Sequence, residues 1–152
     1  MRKQLIDDES SGSDQQWIDL EALAQVAMTS EDPDHPIESA LTGQGSGWRA
    51  SRQGEQVIRL LFDEPQRISR IRVGFEENMA RTQEFVLRWS PDRGRSYREI
   101  VRQQYTFSPP NTTREVEDYT VDLNELTLLE LRITPEIQGG TARASLKQLR
   151  LA

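Results

Sequence analysis

From Glu55 to the C-terminal Ala152 apolar residues recur at alternate positions, and that period restricts the fold more than any other feature of the chain. In EQVIRLLFD, Ile58, Leu60 and Phe62 share one face; in RIRVGFE, Ile71, Val73 and Phe75 do; in QEFVLRWS, Phe85, Leu87 and Trp89 do. EDYTVDL brings Tyr119, Val121 and Leu123 together, and LLELRIT does the same with Leu129, Leu131 and Ile133. Side chains on an extended chain alternate between two faces, so this period marks half-buried strands, whereas an amphipathic helix repeats every 3.6 residues. YREIVRQQYTF is rich in β-branched and aromatic residues, and ASLKQLRLA closes on Leu149 and Leu151 after a slip of phase at Leu146. With an early strand in QVAMTS (25–30), the pattern is that of an all-β fold, an antiparallel sandwich or jelly roll of about eight strands with few helices.

The first third is less regular. Residues 1–16 are rich in Asp, Ser, Gln and Glu with little to bury, and are expected to form a flexible tail ahead of a single domain over 17–152. WIDLEAL suits a short helical turn or an extended lead-in, and Pro36 is placed to open one turn through Leu41. Beyond it, glycines punctuate GQGSGWRASRQG and no regular element is expected before Glu55.

Bulk properties exclude several functions. The chain of 152 residues has no cysteine, which removes disulfides, thiolate metal sites and a cysteine nucleophile. Its formal charge of -6 argues against general attraction to nucleic acid or acidic membranes. The basic start MRKQ is followed by acids and serines rather than an apolar run, so the expectation is a cytoplasmic protein with neither signal peptide nor membrane span. His35 is the only histidine, no nucleophile elbow is present, and neither a phosphate-binding loop nor a dinucleotide fingerprint occurs, so catalysis is not expected.

Loop length separates two ends. If successive strands reverse direction, DEPQ after Asp63, the SPDRGRS turn and the NE turn at Asn124 fall at one end as short connections. The long segments 31–54, 76–81, 108–113 and 135–142 then gather at the other, where loops on a rigid scaffold make a binding surface. In the hairpin RWSPDRGRSYREI, Pro91 presets a dihedral, Asp92 bonds the local backbone and Gly94 supplies a positive φ; its arginines are expected in solvent.

The order of GQGSGWRAS, GEQVIRLLFDEPQRISRIRV, EFVLRWSPDRGRSYREI and ELRITPEIQGGTARASLKQLRLA resembles the discoidin-type (coagulation factor type C-like) domains of the galactose-binding-domain-like superfamily. The likeness extends over 25–152 and is strongest to stand-alone bacterial versions. It implies a jelly roll that binds without catalysis, commonly carbohydrate and sometimes phospholipid or protein, through loops at one rim. Relatives with a structural calcium place an aspartate-glycine pair before the loop tryptophan; here Thr42 and Gly43 stand there, and a hard cation that needs six to eight oxygen ligands loses a carboxylate. The loop EENMAR exposes only Met79 as an apolar spike, against membrane binding.

Each candidate ligand residue has a structural alternative. Trp48 could stack on a sugar or plug the barrel edge. His35 could bind a ligand or serve as a capping side chain. Arg81 could grip a hydroxyl pair or carboxylate, or pair with Glu76, Glu77 or Glu84. Arg102, Gln104 and Tyr105 approach the rim with hydrogen-bonding and stacking groups, or else face water and cap the core. The acids at 76 and 77 are expected to be solvated. The function expected is a carbohydrate-binding module, with a protein-interaction or assembly domain as the alternative.

Overall fold

The computed structural model describes residues 17–152, and the tail expected over 1–16 lies outside them. Eight strands dominate: β1 (Ala24–Met28), β2 (Trp48–Gln53), β3 (Gln56–Glu76), β4 (Arg81–Ser90), β5 (Arg98–Phe107), β6 (Arg114–Thr134), β7 (Arg143–Leu146) and β8 (Gln148–Leu151). Two short helices, α1 (Leu20–Leu23) and α2 (Ile37–Thr42), flank β1. Asp19 caps α1 by accepting from the Ala22 N–H, and α2 ends on Gly43 at φ 72°, in the left-handed region that glycine enters without strain. The strand order is β1-β3-β6-β4-β5 with β8 added to β3, while β2 and β7 form a separate antiparallel pair.

Two connections expected as loops are strands. DEPQ lies inside the 21 residues of β3, and Asn124–Glu125 inside the 21 residues of β6. The two strands pair antiparallel from Gln56↔Ile133 to Glu76↔Arg114, with register shifts between Leu61 and Arg70. Those irregularities bend the ribbon, since an extra residue on one strand sharpens local twist. The first half of β3 and the last half of β6 thus lie in one layer beside β1 and β4, and the remaining halves lie in the facing layer beside β8. Phe75 and Phe85 meet across the layers at a centroid distance of 5.2 Å. Reversal by folding over serves like reversal by a turn, so the long loops do gather at one end: the Glu77 N–H donates to Thr113 O, and the Ile137 N–H to Thr82 O.

β2 was not expected. Trp48 and Ala50 are buried while Arg49 between them is half-buried, an alternation too short to stand out among the surrounding glycines. The phase slip at Leu146 is also explained: β7 pairs with β2, and after Lys147 the chain joins β3 as β8.

The alternating residues named from the sequence form the core, with Ile58, Leu60, Phe62, Ile71, Val73, Phe75, Phe85, Leu87, Leu131 and Ile133 all buried. Tyr119 and Val121 are only partly buried against it. Among the buried carboxylates, Glu130 and Glu115 stand in different settings. Burial would raise Glu130, but hydrogen bonds from Arg88 and Arg59 outweigh it and hold the carboxyl below its ordinary range. Glu115 accepts from Gln83 Nε2 at 3.3 Å, but burial, reinforced by neighbouring Glu117, pushes it up to about 7.

At the short end, Asp92 accepts from the Ser96 N–H at 2.9 Å and from the hydroxyls of Ser90 and Ser96, both at 2.6 Å, which hold it down at about 2. Gly94 has φ 92°, as the turn requires. The arginines of this hairpin do not simply enter solvent. Arg88 binds Glu130 and stacks on Tyr97 at 3.9 Å, and Arg93 donates to the carbonyls of Phe62 and Asp63 at the bend of β3.

Candidate functional site

Three segments meet at the long-loop end around a cavity of about 500 Å³: Arg49 from β2, residues 76–81 between β3 and β4, and residues 136–143 leading into β7. Their positions follow from strand pairing. The antiparallel β2–β7 register sets Arg49 opposite Ser145, and the β4–β5 ladder sets Arg81 opposite Phe107 at the rim.

Glu77 organises the cavity wall. Although it stands in an acidic pair on a loop, it is 3 % exposed, whereas Glu76 beside it faces solvent. The Ser145 hydroxyl donates to Glu77 Oε2, Arg81 Nη2 lies 2.7 Å from the same oxygen, and Arg49 Nη2 lies 3.7 Å from Oε1. The 76–77 pair is therefore split, because the backbone alternation that turns Glu76 outward turns Glu77 toward two guanidinium groups. Arg81 is itself 8 % exposed, and neither its Nε nor its Nη2 makes a hydrogen bond. Burial lowers its proton affinity, with Glu77 opposing and Arg49 reinforcing the shift. Glu136 is used by the fold: its Oε2 accepts from the Thr82 N–H and its Oε1 from the Gln138 N–H. Among the described residues the Arg143 side chain has no hydrogen-bond or ion-pair partner, and it is exposed at the cavity's edge.

The candidate residues do not converge. Arg81 lines the cavity, in the ion pair with Glu77 that was one of its two readings. Arg102 and Gln104 lie on the outer face of β5, where both bind Glu84 and Arg102 also reaches Glu99. Tyr105 packs on Phe107 at 4.9 Å and donates its hydroxyl to Arg114 O. Trp48 is 1 % exposed and donates its indole N–H to Ser30 O, which matches an edge plug rather than an open stacking face. His35 sits beside the cavity, its Nδ1 3.0 Å from Ser46 Oγ. Sequence reading passed over Arg49, Asn78, Glu136, Arg143 and Ser145; the one local signal was the brief alternation of WRAS around Arg49.

In the loop where the resemblance implies calcium, Thr42 O accepts from Arg150 Nη1 at 3.0 Å and Gly45 O from Lys147 Nζ at 2.9 Å. A side chain at Gly43 would come within 2.7 Å of Arg150 Nη1. Among the described residues no three acidic or histidine side chains gather as metal ligands, and no helix is long and apolar enough to cross a membrane.

No protein-family model matches the chain, and no curated protein matches it in sequence. Solved structures do match in shape. A pectin-binding carbohydrate-binding module is 16 % identical with a TM-score of 0.60, over 85 % of this chain and 89 % of that one. The family 32 carbohydrate-binding module of C. perfringens NanJ, solved with galactose, is 17 % identical with a TM-score of 0.58, over 84 % and 92 %. A chain in the structure of reduced XRCC1 bound to the DNA polymerase β catalytic domain is 16 % identical with a TM-score of 0.59, over 86 % and 95 %. At such identities the likeness is one of architecture: with its folded-over β3–β6 ribbon the chain shares the antiparallel jelly-roll β-sandwich fold of these structures.

Proposed function

We propose that the protein is a non-catalytic carbohydrate-binding module whose site is the cavity between Arg49, Glu76, Asn78 and Arg143. The observation that carries this reading is the set of polar groups left over once the fold's own needs are met. Among the described residues, Glu77 and Glu136 are consumed internally, whereas Arg143 is unengaged, Arg49 has one loose ionic contact, and Glu76 and Asn78 border the space. Donors and an acceptor around a concavity of this size suit a pyranose, whose hydroxyls need both. The carbohydrate ligands of modules with the same fold support the reading. Titration against a saccharide panel tests it: Arg143→Gln should weaken binding about tenfold, the worth of one charge-assisted hydrogen bond, with Tm unchanged. A folded sample that binds no saccharide overturns it.

A protein-interaction or assembly role is the second reading, favoured by Met79, 71 % exposed, and Ile137, 43 % exposed, on the loops around the cavity. The match to a structure of XRCC1 with a polymerase domain supports the same idea. Recovery of a stoichiometric partner that Met79→Ser abolishes would establish it, and a monomer that captures nothing would remove it. For the loop over 42–47, Arg150 and Lys147 are proposed to do the work of a cation, so that neither chelator nor calcium moves Tm.

A further inference from the structure

A second, smaller hollow of about 150 Å³ lies against the cavity. Arg49, Glu76 and Asn78 border both, and the far side of the smaller one is made by His35, Ser46 and Lys147. His35 has one ring nitrogen engaged with Ser46 and the other without a partner among the described residues. Lys147 spends one N–H on Gly45 O, which leaves two of its three donors. The apolar side chains in this wall, Trp48 and Leu146, are 1 % and 0 % exposed, so no face is open for stacking. Binding there must come from hydrogen bonds and charge, and Arg49 with Lys147 outnumber the single carboxylate of Glu76.

We infer that the two hollows are consecutive subsites of one groove, and that the ligand is an oligosaccharide of at least two units whose unit over His35 and Lys147 bears a carboxylate. This rests on the carbohydrate reading of the larger cavity. Once the first unit is seated, the second binds as an intramolecular event, so affinity should rise with chain length although each hollow is shallow.

Calorimetric titration of the full chain with galacturonic, glucuronic and mannuronic acids, their di- and trisaccharides, and the matching neutral sugars tests the inference. In the series that binds, the disaccharide uronate should bind about tenfold more tightly than its monosaccharide, with a smaller gain for the neutral pair. Lys147→Gln should remove most of that gain and leave the Kd of the neutral monosaccharide unchanged. His35→Ala, which does not disturb the Gly45 contact, should remove part of it. Equal Kd for monosaccharide and disaccharide overturns the inference while the carbohydrate reading stands. A neutral gain equal to the uronate gain overturns the acidic assignment, and a folded sample that binds no saccharide overturns both readings.

Discussion

The two ends of the sandwich handle charge in opposite ways. At the hairpin end, Asp92 is satisfied by Ser90 and Ser96, within four residues of itself, and it stays near water. At the rim, Glu77 and Arg81 are withdrawn from water and held by residues far along the chain, including Arg49 and Ser145. The rim also keeps a guanidinium Nε without a hydrogen bond, whereas every oxygen of Asp92 has a partner. The first arrangement maintains a turn; the second stores buried charge beside a cavity.

The comparison breaks most decisively at Glu77. Glu77→Ala leaves Arg81 buried without its counter-charge and should cost about 3–5 kcal/mol of stability, read from chemical denaturation, with loss of the cavity's shape. A loss below about 1 kcal/mol would mean that the pair is solvated and that the two ends are alike. Glu115, at the same end as Glu77, adds a pH dependence. Its folded value of about 7 lies above the ordinary 4.5, so the folded state binds more protons in between. Stability should therefore be complete below about pH 4.5 and fall as pH rises through about 7, by up to about 3 kcal/mol. Glu115→Gln should flatten that slope in thermal melts recorded across this range.

At the hairpin end the sign reverses. The Asp92 carboxyl is depressed to about 2, so its contribution is present above about pH 4 and is lost as pH falls toward 2. Asp92→Ala should lower Tm modestly with saccharide binding unchanged; loss of binding at constant Tm would move the site to this end. The smallest effect is expected from Arg102→Ala. Its ion pairs with Glu84 and Glu99 lie on an exposed strand face, where such contacts contribute little, and neither Tm nor binding should change measurably.

The hairpin was readable because its chemistry is local: Pro91, Asp92 and Gly94 specify a turn whatever surrounds them. The strand faces were readable for the same reason, since Ile71, Val73 and Phe75 reach one side through backbone geometry alone. Even the gathering of long loops followed from counting reversals, although two of those reversals are bends in β3 and β6 rather than loops. Arg102, Gln104 and Tyr105 show the limit, because nearness to a rim in sequence said nothing about which edge strand they would occupy.

By itself, then, the sequence determined the antiparallel all-β architecture, the buried face of most strands and the end at which the variable loops emerge. These depend on period and turn chemistry over a few residues. Only the tertiary structure decided that Glu77 is buried while Glu76 is not, and that Arg49, Asn78 and Arg143 border one cavity beside His35 and Lys147. The free energy of a charged side chain depends on what stands opposite it in space, and for Glu77 those partners are supplied by β2, β4 and β7.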